Sequence, residues 1–283
     1  MTLSLNETLN CILTGKILIL GDSGVGKTSI FNKLIDNGFS EYCPSTIGMD
    51  FHSIEVQLDP SRLSTKLSSK LEKVVSDLSQ NYKNKEKNKD FILSLKEHTG
   101  IADKLLASSD KISTAKLQLW DAAGQEKFRN IVRGYYLNSA VILLVFDLCN
   151  RASFEHLIAW TEQVLNSSKI NKLSSNKTGQ IDLPLLFLIG NKNDLDRTHV
   201  LKPINQSEID SFCDHYNVNS YYSISAKHDE DRIKNILTDI AHELYFHTEF
   251  IKELNKVFIN KENIMTIHYD KQLLRQANCC LLL

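Results

Sequence analysis

Gly21-Asp22-Ser23-Gly24-Val25-Gly26-Lys27-Thr28 has the residue types and spacing of a phosphate cradle, G-x-x-x-x-G-K-[ST]. Glycines let successive backbone N–H groups turn inward onto phosphate oxygens. Gly21, Ser23, Gly24, Val25 and Gly26 would form that cradle, and Ser29 opens the segment that follows. Ser29-Ile30-Phe31-Asn32-Lys33-Leu34 reads as a helix, whose N-terminus adds partial positive charge. Lys27 would set a compact cation on the β- and γ-phosphates, and the Thr28 hydroxyl would hold Mg²⁺. The other reading is a glycine-rich turn that binds nothing. The stretch speaks for a nucleoside triphosphate and leaves the base open.

A cradle of this kind needs a strand before it and a helix after it. Ile17-Leu18-Ile19-Leu20 supplies the strand, and further strands are expected at Phe51 to Leu58, Lys116 to Trp120, Val141 to Phe146, Leu185 to Ile189 and Tyr221 to Ile224. The second alternates, with Ile54, Val56 and Leu58 on one face; the fourth and fifth are continuously apolar, as in strands covered on both sides. Asn37-Gly38 stops the first helix. Ser153 is expected to cap a helix turning Phe154, Leu157, Ile158 and Leu165 inward, followed by a polar loop from Asn166 to Gln180. Ser207 to His215 reads as a short helix. Asp229 begins a last one, with Ile233, Ile236, Leu237, Ile240 and Leu244 on one stripe. Strands alternating with helices predict a doubly wound α/β fold with a mostly parallel six-stranded sheet, and the phosphate cradle after its first strand makes it of the P-loop NTPase type. Ligands of such sheets gather at the carboxyl ends of the strands, where the motif-bearing loops fall.

The composition is that of an ordinary globular chain. Of 283 residues, 42% are apolar and 24% charged, and the formal net charge of −1 gives no reason to expect a nucleic-acid partner. The six cysteines have neither metal-ligand spacing nor a disulfide framework, which suits a reducing compartment. No apolar run approaches the ~20 residues of a membrane-spanning helix. The N-terminal stretch lacks a basic leader and runs into the first core strand, so no secretory signal is expected, and Thr2 in place of Gly argues against myristoylation. From about 60 to 113 the sequence turns Lys- and Ser-rich. It reads as an insertion in a hairpin, partly helical or disordered, since its Asn/Lys tract has little to bury. The expected organisation is a nucleotide-binding domain over 1–245 and a variable tail over 246–283.

Five separated motifs in order resemble a small GTPase of the Ras superfamily, of the Rab type, over roughly 14–60, 114–166 and 183–245. The resemblance implies roles for residues that their types alone do not fix. Thr46 matches the switch-loop threonine that holds Mg²⁺ and senses the γ-phosphate. Phe39 matches an aromatic ring stacked on guanine. Asp121 would reach Mg²⁺ through water, Gly124 would offer its N–H to the γ-phosphate, and Gln125 would orient the attacking water. Alone, Trp120-Asp121-Ala122-Ala123-Gly124 reads equally as a strand ending in a turn. Base choice rests on Asn191-Lys192-Asn193-Asp194 and Ser225-Ala226-Lys227. Two acceptor oxygens on Asp194 can take guanine's ring N–H and amine, whereas adenine would leave that carboxylate unpaired. By resemblance, Asn191 braces the loops, Lys192 and Lys227 lie along the base, and the Ala226 N–H meets the guanine oxygen. The implied activity is slow hydrolysis of GTP to GDP with Lys27 and Gln125 as catalytic groups, sped by an activating protein because no arginine finger is evident.

Ile47-Gly48-Met49-Asp50-Phe51 resembles the Rab effector loop, and Phe51, Trp120 and Tyr135 match its aromatic triad; the plain reading of each is core packing. Cys279-Cys280-Leu281-Leu282-Leu283 resembles a prenylation signal for one or two lipids, two being needed for stable anchoring. Replacing both cysteines with serine is then expected to leave the protein cytosolic. Effectors, an exchange factor, an activating protein, a GDP-dissociation inhibitor and the prenylation machinery are the implied partners. The implied place is the cytoplasmic face of an endomembrane (endosome, Golgi or lysosome-related vesicle), in exchange with cytosol, with a role in vesicle traffic. Ala122, the wording from Leu117 to Trp120 and the Cys213 segment resemble the Rab branch of lysosome-related organelles. Two other classes fit parts of the sequence. A scaffold that binds GTP without turnover is opposed by Gly124 and Gln125, and an ATP-using P-loop kinase by Asp194.

Overall fold

Apolar runs decide the architecture. Ile17, Leu18, Ile19 and Leu20 are all fully buried, because a strand sends alternate side chains to opposite faces and this one is covered on both. The computed structural model describes residues 13–42, 44, 46, 48–59, 62, 114–124, 134–136, 139–174, 184–196, 200 and 202–259, with backbone alone for 168–174 and 249–259. Its elements are β1 (Leu13–Leu20), α1 (Lys27–Leu34), β2 (Met49–Gln57), β3 (Thr114–Ala122), β4 (Val141–Asp147), α2 (Arg151–Glu155), α3 (Leu157–Ser174), β5 (Leu185–Asn191), α4 (Gln206–Tyr216), β6 (Ser220–Ser223) and α5 (Glu230–Ile259).

The strands form a six-stranded sheet in the order β2-β3-β1-β4-β5-β6. All neighbours pair in parallel except β2 with β3. Odd and even positions of the central strands feed separate cores. Ile17, Ile19, Leu143, Val145, Phe187 and Ile189 pack under Ile30 and Phe31 of α1 and the Ile233–Ile240 stripe of α5. Leu18, Leu20, Ile142, Leu144 and Leu188 pack under Phe154, Leu157 and Trp160 on one side and Ile209 and Phe212 on the other. Each such side chain contributes about 1.5–3 kcal/mol by leaving water, which makes the central strands a stiff base for the loops at their ends.

β1 lies between β3 and β4, where the chain's direction of travel across the sheet reverses. The loop after β1 therefore sits at the switch point of the sheet, beside the carboxyl ends of β3, β4, β5 and β6. The register sets Ile19 opposite Asp121, and Asp147 opposite Asn191. Candidate groups from four strands thereby reach one edge.

Several expectations change. Ser153 caps nothing: it is buried within α2, its hydroxyl accepts from the Asp147 N–H at 3.0 Å and donates to the Asn150 carbonyl at 2.6 Å, and Asn150 holds the N-cap position. Ile158 is half exposed; the buried stripe of α3 is Leu157, Trp160, Thr161 and Val164. The loop expected from Asn166 is helix as far as Ser174. Helix α5 runs past residue 245 to Ile259, so the first part of the expected tail is helical. The insertion other than Arg62, and the chain beyond 259, lie outside the described residues.

Candidate functional site

Gly26 stands in the left-handed region, at φ 97°, and serves as the N-cap of α1 with no side chain bonded to the first turn. The leading N–H groups of α1 are thus left for a ligand, as an anion site requires. A Cβ at Gly26 would collide with the Asn191 amide, so the tight approach of these two loops requires glycine. Gly124 is held similarly: a Cβ there would press on the Asp22 carbonyl at 2.6 Å and on the Lys27 ammonium.

Lys27 is buried and donates from Nζ to the Asp22 carbonyl at 2.7 Å. Burial pushes its pKa down to about 8, against the pull of Asp121 and then Asp22. Beneath it lie the three candidate metal groups. The Thr28 hydroxyl donates to Asp121 Oδ2 at 2.6 Å and lies 2.8 Å from the Thr46 hydroxyl. Burial raises the Asp121 pKa, opposed mainly by the Thr28 bond. Asp121 Oδ1 is buried without a hydrogen-bond partner, an orphaned carboxylate oxygen of the kind a divalent cation and its water would satisfy. These residues fit Mg²⁺ held jointly with phosphate oxygens. Among the described residues no group of three or more His, Cys, Asp or Glu side chains could hold a metal without such help.

The other end of the site is built by β5 and β6. Asn191 is buried and bridges two loops, its amide donating to the Val25 carbonyl at 2.9 Å while its Oδ1 accepts from the Ala226 N–H at 2.9 Å. That bond brings the bracing expected of Asn191 and also engages the Ala226 N–H expected to meet a base. Lys192, at φ 63°, reaches back along the wall to the Gly24 carbonyl at 2.8 Å and pairs with Asp147 at 2.8 Å. The Ser225 hydroxyl accepts from the Lys227 and His228 N–H groups, both at 3.2 Å. It also bonds the Asp194 carboxyl, the main cause of a pKa held below the usual carboxylate range. Asp229 fixes the same loop, accepting from the Ser225 N–H at 2.8 Å.

One cavity of about 370 Å³ connects the two ends. It is lined by Ser23, Gly24, Gly26, Lys27, Thr28 and Ser29, by Phe39, Thr46 and Gly124, and by Asn191, Lys192, Asp194, Ser225, Ala226 and Lys227. Gly21, Val25 and Asp121 support it from behind and do not line it; the Val25 side chain belongs to the core. Gln125, Cys279 and Cys280 lie outside the described residues. Sequence reasoning missed Ser40, Glu41, Pro44 and Leu195 as lining residues, and Asp147 and Asp229 as braces. Their partners are distant in sequence or reached through backbone bonds, which periodicity does not register; Asp229 did carry a signal, as an acidic residue at a helix start. The Asp22 side chain was missed too. It accepts from Trp160 Nε1 at 2.9 Å and lies 2.6 Å from His156 Nδ1, tying the cradle to α3.

Phe51, Trp120 and Tyr135 meet on the edge of the sheet away from β6. Phe51 and Trp120 are register partners with ring centroids 4.8 Å apart, and Trp120 and Tyr135 are 5.6 Å apart. Phe51 is exposed, so the group is no plain core cluster. Lys16 stands 5.0 Å from the Trp120 ring centroid and donates to the Tyr135 carbonyl at 2.6 Å.

Comparison with known proteins is consistent with this geometry. Residues 82–246 match the model of the Ras family, and 16–73 match that of Roc, the Ras of Complex domain of DAPkinase. The chain is 31% identical over 212 residues to the Ras-related protein Rab-32D of Dictyostelium discoideum, covering 75% of this chain and 66% of that one. It is 30% identical to the Ras-related protein Rab-1 of Theileria parva, over 80% of this chain and 72% of that one. It is 27% identical to the human Ras-related protein Rab-32, over 94% of this chain and 88% of that one.

Proposed function

The chain belongs to the Ras family as a Rab-type small GTPase, and from that premise we propose that it is a guanine-nucleotide switch that recruits effectors in vesicle-mediated membrane traffic. The observation that carries this reading is the convergence of Lys27, Thr28, Thr46 and Gly124 at one end of a single cavity and Asp194, Ser225 and Lys227 at the other.

In this reading Asp194 takes the guanine ring N–H and amine, its carboxyl kept ionised by Ser225. Phe39 and the stems of Lys192 and Lys227 cover the base. Lys27 leaves the Asp22 carbonyl to neutralise charge on the terminal phosphates, and the open N–H groups of α1 with that of Gly124 orient them. Mg²⁺, when held by Thr28, Thr46 and Asp121, offsets charge that builds on the phosphate oxygens. Gln125 directs a water in line with the bond to be broken, giving GDP and phosphate. Thr46 and Gly124 lose their common partner when the γ-phosphate leaves, and the segments bearing them relax. Effectors then distinguish the two states beside the exposed Phe51 and the half-buried Trp120 and Tyr135. One or two lipids on Cys279 and Cys280 hold the protein on the cytoplasmic face of an endosomal, Golgi or lysosome-related membrane. No described helix is long and apolar enough to cross one.

No arginine is among the described residues lining the cavity, and in this reading unaided turnover is slow, on the order of 10⁻⁴ s⁻¹. Single-turnover hydrolysis of γ-labelled GTP by the purified protein tests this. Unaided rates near those of an activated complex, on the order of 1–10 s⁻¹, would remove the need for an activating partner.

A further inference from the structure

The loop between α1 and β2 carries both Phe39 and Thr46, so it follows the cavity from the base end to the phosphate end. Among its described residues, side chains are tied to other elements at three points. Asp36 pairs with Lys234 of α5 at 2.7 Å, before the cavity is reached. The Thr46 hydroxyl meets that of Thr28 at 2.8 Å, at the phosphate end. Between them, Glu41 Oε1 accepts from Lys227 Nζ at 2.7 Å, joining this loop to the one after β6 across 186 positions of sequence. Glu41 and Lys227 both line the cavity. The pair therefore crosses the rim of the base end, which Phe39, Asp194 and Leu195 also line.

Nothing in the phosphate chemistry needs a carboxylate at Glu41, and an acidic group in the pocket of a polyanion is costly unless paired. Its side chain is 78% exposed and that of Lys227 45%. A pair so placed is weak and screened by salt, which is what a part that must open repeatedly requires. Lys227 also feels Asp194, so it keeps an acidic neighbour when Glu41 lets go.

We infer that the Glu41–Lys227 ion pair is a latch on the base end of the pocket, making Glu41 a positioning residue that sets how long the nucleotide stays bound. The inference rests on the guanine-nucleotide reading of the site. With the latch closed, Phe39 and the Lys227 stem are held over the base; with it open, the base end can part and the nucleotide leaves.

The test is the release of fluorescently labelled GDP from the full chain, chased with excess unlabelled GDP at about 50 mM and 500 mM salt, for wild type, E41Q and E41D. E41Q is expected to release about two- to fivefold faster at low salt, the range open to an exposed pair. That gap should close at high salt because wild type speeds up, with E41D falling between the two. Equal rates for E41Q and wild type at low salt would overturn the latch. So would an acceleration of the same size at both salts, which would mean a loosened loop and no ion pair at work. Unchanged thermal unfolding of E41Q separates either result from misfolding. A wild-type chain that binds no labelled GDP would instead overturn the reading of the site itself.

Discussion

In the proposed reading the phosphate chemistry turns on Lys27, and its burial depresses its pKa before any ligand arrives. Buried with only Asp121 and Asp22 to compensate, it titrates at about 8 in place of 10.5. The sign follows from linkage. In the nucleotide-free fold the unfolded chain binds more protons between those two values, so burying this ammonium opposes folding most below pH 8. A triphosphate supplies the missing counter-charge and restores the proton. Nucleotide binding should therefore take up close to one proton above pH 8 and almost none at pH 7. Affinity should fall by up to about tenfold per pH unit on the alkaline side. Calorimetric titrations in two buffers of different ionisation heat measure the uptake directly; none at pH 9 would mean that Lys27 is already protonated in the free protein. Asn191 acts as a brace that does not titrate, its amide satisfying the Val25 carbonyl and the Ala226 N–H at once.

At the scale of elements, α4 shows how a surface helix is fixed at its start. Asn205 and Glu208 form a capping box, and Glu208 also takes a two-pronged ion pair from Arg151 at the start of α2. Chiefly through Arg151, the Glu208 carboxyl is held down to about 2, from 4.5. A depressed carboxyl contributes stability that is complete above its unfolded pKa and lost as pH falls through the folded one. The stability gap between wild type and E208Q, measured by denaturant unfolding, should therefore be present at pH 7 and shrink between about 4.5 and 2. A gap that is constant with pH would deny Arg151 this role. Elements were legible in the sequence to very different degrees. The buried strands β4 and β5 were plain, because an unbroken apolar run between helices has few other uses. The phosphate cradle and the two base loops were plain because their chemistry needs particular residues at fixed spacings. Ser153 was misread, since a buried serine bonding to Asn150 and a capping serine look alike in sequence. The extent of α3 was missed because polar helix and polar loop share a composition, whereas α5 runs on through a stretch over 246–259 that is half apolar, a signal the sequence did carry. The ion pairs Glu41–Lys227 and Arg151–Glu208 join residues that local pattern does not relate.

For the molecule as a whole, the order β2-β3-β1-β4-β5-β6 places the described candidates for nucleotide and metal binding at one edge of the sheet. In the proposed reading phosphate chemistry lies at its centre, base recognition toward β6 and the aromatic surface toward β2. Nucleotide state would then pass from Thr46 and Gly124 to Phe51 and Trp120 along the antiparallel pair β2–β3, where Met49 is the register partner of Ala122. Base recognition stays on the opposite side, on strands whose cores do not need to move. Such a division requires that one molecule fill both ends of the cavity, and that its base be guanine. Competition for the bound fluorescent GDP in the presence of Mg²⁺, with GTP and ATP titrated in parallel, addresses both requirements. The account predicts that GTP displaces the probe at near-stoichiometric concentrations while ATP fails at a thousandfold excess. Displacement by ATP at concentrations comparable with GTP would contradict it.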